Sequence, residues 1–191
     1  MTTRPLDKFA TNAFFKFLAP VVAAVMDHPV RRRLNDPVKT LGAAGLQAGQ
    51  SVLEVGCGTG FFTIPAARLV RDVGLVHSID VYPPAIEHVA QKVQEAGLTN
   101  VKLTLADALA TGLPDSSFDL VLLLGVIPSP TLPLDRLLPE MYRLLKPDGE
   151  LAVWTVFSWG LCASVNRGGL FVHIGKESGV HRFRKQNTAG R

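Results

Sequence analysis

Gly56, Gly58 and Gly60 follow the short strand-like segment from Ser51 to Val55. The acids Asp80 and Asp107 close the strand-like segments that begin at Leu75 and Val101. A glycine-rich turn between a strand and a helix lets a ligand approach the backbone closely, and the helix N-terminus favours a negative group. For the loop alone, the alternative is a turn that merely packs strand on helix. Asp80 lies 24 residues beyond Gly56, where a carboxylate can accept hydrogen bonds from both hydroxyls of a ribose. Such charge-assisted bonds contribute roughly 1.5–3 kcal/mol. At the same sheet edge, Asp107 could accept from an adenine amine while the Ala108 N–H donates to the ring. Each acid could instead cap a helix or turn, but two of them at strand ends beside a glycine loop are harder to explain that way.

Other chemistries fit less well. Phe61 occupies the third-glycine position of G-x-G-x-x-G, which tells against a nicotinamide dinucleotide, and no G-x-x-x-x-G-K-[ST] is present. Cys57 and Cys162 cannot build a disulfide framework, and both read as small packing residues. The five histidines show no zinc spacing, and no metal is expected. Pairing Ile174 with Val180 would make His173 and His181 cross-strand neighbours. That pair reads as a polar edge face, with a two-ligand metal site as the alternative. His77, inside a strand, reads as a satisfied interior residue.

These residues need a frame, and strand–helix alternation supplies one. Asp36-Pro37 opens a short helix, a capping carboxylate followed by proline at the first helical position; Gly45 stops it. Strands are predicted over residues 51–55, 75–79, 101–105, 118–124 and 150–156. Helices are predicted after the glycine loop, over the Ile86, Val89, Ala90 and Val93 face, and around Met141, Leu144 and Leu145. Pro139 predicts a late start or a kink in the last of these. Residues 170–174 and 180–184 flank a glycine-containing loop and predict a terminal hairpin. The fold class is α/β, a parallel sheet with right-handed crossovers, helices on both faces and an antiparallel edge.

The chain has 191 residues, 47% of them hydrophobic and 19% charged, too apolar and too weakly charged for a disordered chain. Two divisions are expected, an N-terminal helical lid or extension over 1–35 and one domain over 36–191. The apolar stretches at 14–26 and 151–166 fall short of the ~20 residues of a membrane-spanning helix. No small-residue cleavage site follows the first. The net charge of +4 divides as +4 over residues 1–50, −5 over 51–166 and +5 over 167–191. Basic ends on an acidic middle either attract an anionic surface or are simply solvated.

In combination, the motifs resemble class I S-adenosylmethionine-dependent methyltransferases. Glu54-Val-Gly56-Cys57-Gly58-Thr-Gly60 is similar to the first motif of that family, and Ser78-Ile-Asp80-Val81-Tyr82 to its ribose motif. Ala106-Asp107-Ala108, the run from Leu113 to Asp119 and the run from Leu145 to Gly149 match the remaining landmarks in order. The resemblance covers about residues 36–185 and is nearest to the small-molecule branch containing the ubiquinone/menaquinone C-methyltransferases. It implies a Rossmann-like three-layer sandwich whose seven strands run 3-2-1-4-5-7-6. The loop from Gly56 through Cys57 and Gly58 to Gly60 would hold the methionine end of S-adenosyl-L-methionine, which leaves as S-adenosyl-L-homocysteine. Glu54 would bind the ammonium through water or loop amides, and Asp80 the ribose. Asp107 and Ala108 would read the adenine, Val81 and Tyr82 would pack on its ring, and Leu124 and Gly125 would close the site.

Two features depart from that pattern. About ten residues, 157–166, separate the fifth strand from the hairpin, so the usual helix there is short or missing. The segment from Gly125 to Pro130 lacks the histidine of many relatives, which leaves no assigned catalytic residue. The absence is tolerable because a base is needed only when the acceptor must lose a proton. Phe9, Phe14, Phe15, Phe17 and Leu18 make the N-terminal segment apolar. It reads as core packing, as a lid over an apolar acceptor, or, with Arg31 to Arg33, as a peripheral membrane contact over 9–33. The expectation is a cytoplasmic methyltransferase acting on a hydrophobic small molecule such as a quinone, polyketide or lipid. Two alternatives stand beside it: a nucleic-acid methyltransferase, prompted by Arg182, Arg184 and Lys185, and a non-catalytic partner subunit of the same fold.

Overall fold

Asp36 opens the folded region, its Oδ1 accepting from the Val38 N–H at 2.9 Å. A computed structural model describes residues 36–156 and 158–186. The expected lid over 1–35, its membrane alternative and its arginine cluster lie outside the described residues, as do 157 and 187–191. Helix α1 (Pro37–Ala43) precedes β1 (Ser51–Val55), α2 (Thr63–Val70), β2 (Leu75–Asp80), α3 (Pro83–Glu95), β3 (Val101–Leu105) and β4 (Phe118–Leu124). Then come α4 (Leu134–Leu144), β5 (Leu145–Trp154), α5 (Leu161–Asn166), β6 (Phe171–Glu177) and β7 (Val180–Lys185). The seven strands form one sheet in the order β3-β2-β1-β4-β5-β7-β6. The pairings β1–β2, β1–β4, β2–β3 and β4–β5 are parallel, whereas β5–β7 and β6–β7 are antiparallel. This is the predicted fold class.

The unbroken apolar run Leu120–Leu124 of β4 has a direct cause. Val121 and Leu123 join one core cluster, with Leu137, Met141 and Leu144 of α4. Leu120, Leu122 and Leu124 join the other, with Ala66, Ala67 and Val70 of α2. Side chains alternate across a strand, so a strand buried on both faces must be apolar at every position.

Three boundaries differ from prediction, each for a tertiary reason. Helix α4 starts at Leu134 and carries Pro139 in its interior. An interior proline costs about 3 kcal/mol, but Leu137, Leu138, Met141 and Leu144 are buried beneath this helix, at roughly 1.5–3 kcal/mol each. Burial wins. Strand β5 begins at Leu145, which pairs with Phe118, and the register then jumps to Leu120 opposite Glu150. The intervening turn passes through Asp148 at φ 61°, and the strand ends at Trp154, leaving Val156 exposed. The hairpin loop is two residues, Ser178 and Gly179, at φ 46° and 81°. Two consecutive left-handed residues are what a type I′ turn requires, so Glu177 pairs with Val180 in place of the expected Ile174. The short segment before the hairpin does hold a helix, the six-residue α5.

Candidate functional site

The carboxyl ends of β1, β2 and β3 converge on the loop that follows β1. Gly56 and Cys57 donate to the Ile79 carbonyl at 2.8 and 3.2 Å, and these bonds lay the loop across the end of β2. Gly56 has φ 76°, and a Cβ there would stand 2.5 Å from a Val126 methyl. Only glycine takes this conformation and this approach without strain. Lys92 of α3 donates to the Thr59 carbonyl at 2.9 Å and holds the far side of the loop.

Asp80 organises the centre. Its Oδ2 accepts from the Gly58 N–H and its Oδ1 from the Tyr82 N–H, both at 3.0 Å. Each carboxylate oxygen has a further lone pair, so the acid can fix the loop and still accept from a ligand. Asp107 accepts from the Leu109 N–H through Oδ1 at 2.9 Å. It therefore does cap a turn, and that turn places Ala108 beside Asp80 on one cavity wall.

Glu54 is turned away from this cavity. Its Oε2 accepts from Thr63 and Ser78 hydroxyls, each at 2.6 Å, under the loop and 3% exposed. Burial pushes its carboxyl up to about 7; the Ser78 and Thr63 bonds oppose that rise, and nearby Asp80 adds to it. Burial, with Glu54 and Asp80, also pushes the Cys57 thiol far above its usual range. A thiol held neutral is packing, not a nucleophile. His77 meets Thr104 Oγ1 at 2.8 Å, and burial, aided by Lys102, lowers it to about 4. It is a neutral interior histidine, as read from the sequence.

The cavity encloses about 320 Å³. Of the residues singled out in the sequence, Gly56, Asp80, Val81, Asp107 and Ala108 line it. Tyr82 instead packs with Cys57, Ala85 and Val89. Leu124 is buried, and Gly125 backs onto the Trp154 ring. Sequence reasoning missed Val126, Thr131, Leu132 and Arg136, which also line the cavity. They lie between β4 and the first turns of α4 and carry no local motif. Only the fold brings them opposite Asp107.

A glycine loop after β1, acids at the carboxyl ends of β2 and β3, and a 3-2-1-4-5-7-6 sheet make up a Rossmann-like architecture with a cavity at its rim. Residues 52–149 match the family described as a methyltransferase domain, and the chain belongs to that family, whose class uses S-adenosylmethionine. The chain is 40% identical over 94 residues to aklanonic acid methyltransferase DauC of Streptomyces sp. (strain C5), covering 49% of this chain and 40% of that protein. It is 35% identical over 122 residues to demethylmenaquinone methyltransferase of Geobacillus sp. (strain WCH70), covering 63% and 51%. The chain thus spans about half the length of the curated relatives it matches. A SAM-dependent methyltransferase from Aquifex aeolicus superposes with TM-score 0.69 at 26% identity, over 87% of this chain and 96% of that one. The [4+2]-cyclase SpnF superposes with TM-score 0.70 at 24% identity, over 85% and 71%. The second likeness concerns the fold alone, and a fold does not set a reaction.

Proposed function

We propose that this protein transfers the methyl group of S-adenosylmethionine to an apolar small-molecule acceptor of the quinone or polyketide kind. The observation that carries the reading is the cavity where Gly56, Asp80, Asp107 and Ala108 meet at the ends of three adjacent strands. The Gly56–Gly60 loop would take the methionine end of the cofactor, with Glu54 behind it as a positioning group. Asp80 would accept from the ribose hydroxyls, Asp107 and Ala108 would pair the adenine edge, and Val81 would bound its ring, with Tyr82 packed behind the Gly56–Gly60 loop. Leu124, at the end of β4, and Gly125 after it stand behind the lining and would position Val126. The sulfonium supplies an activated methyl, so the protein's work is to align the acceptor in line and exclude water. Val126 and Leu132 give the cavity an apolar wall for that purpose. The names of the relatives, one acting on aklanonic acid and another on demethylmenaquinone, support the acceptor class.

The nucleic-acid reading loses its footing in the hairpin. Arg182 donates to Glu150 Oε2 at 3.0 and 2.5 Å, and Arg184 to Glu150 Oε1 at 3.1 Å. Lys185 donates to the Leu145 carbonyl at 2.6 Å. Three of the basic residues that prompted that reading are thus engaged within the sheet and do not form a free phosphate-binding stripe.

The test is calorimetric titration of S-adenosylmethionine, with NADH as control and Asp80→Ala alongside. Binding that weakens at least about tenfold in the variant is expected from the loss of a charge-assisted pair. Folded protein that takes up no cofactor would overturn the reading. Release of S-adenosylhomocysteine with quinone-type and polyketide-type acceptors, against RNA, then tests the acceptor class.

A further inference from the structure

Away from this cavity, α5, β6 and β7 each contribute one soft or borderline donor to a single point. Cys162, His173 and His181 offer ligand atoms that all lie within 4.8 Å of one another. Cys162 Sγ is 3.3 Å from His181 Nδ1, and His181 Nδ1 is 3.3 Å from His173 Nε2. The register irregularity between His173 and Gly175 produces the approach. His173 pairs with Phe183, and His181 is its diagonal neighbour, the two imidazole centroids standing 5.4 Å apart.

Hydrogen bonding alone satisfies this group poorly. An imidazole nitrogen presents one in-plane site, either a lone pair or an N–H, yet Nδ1 of His181 is approached by both the thiol and the second ring. A cation at the centre would take one lone pair from each residue. Zinc–nitrogen bonds of about 2.0–2.1 Å in a tetrahedron set two nitrogens about 3.3–3.4 Å apart, and a zinc–sulfur bond of about 2.3 Å sets sulfur about 3.5 Å from nitrogen. The Cys162–His181 and His181–His173 separations lie at or just inside these values, and Cys162 and His173, within 4.8 Å of each other, close toward about 3.5 Å on binding. His181 is 6% exposed, whereas Cys162 and His173 are only half-buried, so the cluster is walled on one side and open on the other.

We infer that Cys162, His173 and His181 form a three-ligand Zn²⁺ site that clamps α5 onto the terminal hairpin and leaves a fourth position for water. One thiolate with two imidazoles is a zinc-type donor set, and Cys162 gives up its thiol proton on binding. His181 Nε2 has no hydrogen-bond partner among the described residues. That ring therefore lacks the outer partner that strengthens zinc ligands, and the affinity belongs about 10–100-fold below that of a fully supported site.

The test uses the full chain, freed of metal by chelator and titrated with Co²⁺ and then Zn²⁺. The expected result is one equivalent of Co²⁺ with a thiolate-to-cobalt charge-transfer band, displaced by Zn²⁺. Cys162→Ser abolishes the band, and His173→Gln weakens binding at least about tenfold. Circular dichroism verifies folding; should Cys162→Ser unfold, the half-exposed His173→Gln decides. Folded protein that binds no Co²⁺, a complex without the band, or unchanged affinity in the variants overturns the inference.

Discussion

Glu54 illustrates how a single buried carboxyl couples the loop to solution pH. It retains its proton up to about 7, against an ordinary 4.5, because burial penalises the charged form more than the Ser78 and Thr63 bonds favour it. The folded chain therefore binds more protons than the unfolded chain between those two values. The contribution to stability is fullest below pH 4.5 and is lost as pH rises through 7, and its size is about 3 kcal/mol. Glu54→Gln keeps the shape and removes the titration. Urea unfolding at pH 4.5 and pH 8 should show the variant losing about 3 kcal/mol less than the wild type on going to the higher pH. Equal losses would mean that Glu54 ionises without penalty. At Gly56 the constraint is steric: Gly56→Ala would meet Val126 at 2.5 Å in a left-handed backbone, so cofactor affinity should fall with it.

At the scale of elements, α4 is tied to the β3–β4 connection by one polar network. Glu140 Oε1 accepts from the Thr111 N–H at 2.9 Å and the Thr111 hydroxyl at 2.7 Å. Arg143 donates to both Glu140 oxygens, to the Leu113 carbonyl and to Asp115. The Arg143 bond leads the causes that hold the Glu140 carboxyl down at about 2; Thr111 adds to it and burial opposes it. Stability from Glu140 is thus present above 4.5 and lost as pH falls toward 2. Glu140→Ala strands the Thr111 N–H and should cost roughly 1–3 kcal/mol, read as a lower urea midpoint at pH 7. The loss should shrink at pH 2, where the carboxyl is already half protonated. The same helix carries Pro139 without breaking, because its buried face outweighs the missing bond.

At the scale of the whole molecule, the cavity is assembled from strand ends and loops distant in sequence, so a ligand there stabilises the folded chain and nothing in the unfolded one. S-adenosylhomocysteine at about 100 times its Kd should raise stability by about 2.7 kcal/mol, seen as a higher Tm. Asp80→Ala at the same ligand concentration, with binding weakened about tenfold, should lose about half of that gain. A gain that survives the substitution would place the ligand elsewhere. No described helix is long and apolar enough to cross a membrane.

Much of this architecture was legible in the chain alone. β1, β3 and β4 have the predicted bounds because strand-favouring segments are punctuated by glycine, acid and turn residues, and only the central strand β4 is apolar along most of its length because it is buried on both faces. Gly56, Asp80 and Asp107 were legible because each stands at the carboxyl end of such a strand, and a parallel sheet brings all those ends to one rim. The hairpin register, the early start of α4 ahead of Pro139 and the far wall of the cavity were not. Ser178 takes a left-handed φ beside Gly179 because the two close β6 onto β7 in a two-residue turn. Val126, Thr131, Leu132 and Arg136 become cavity residues only once β4 lies beside β1. The approach of His173 to His181 was legible in the hairpin, though through another register, whereas Cys162 joins them only through the packing of α5 on β6 and β7. Local pattern determines which segments become strands and helices, since periodicity and turn chemistry act over a few residues. Which side chains then share a cavity or a ligand site is set by strand order and register, and those emerge from the packing of the whole.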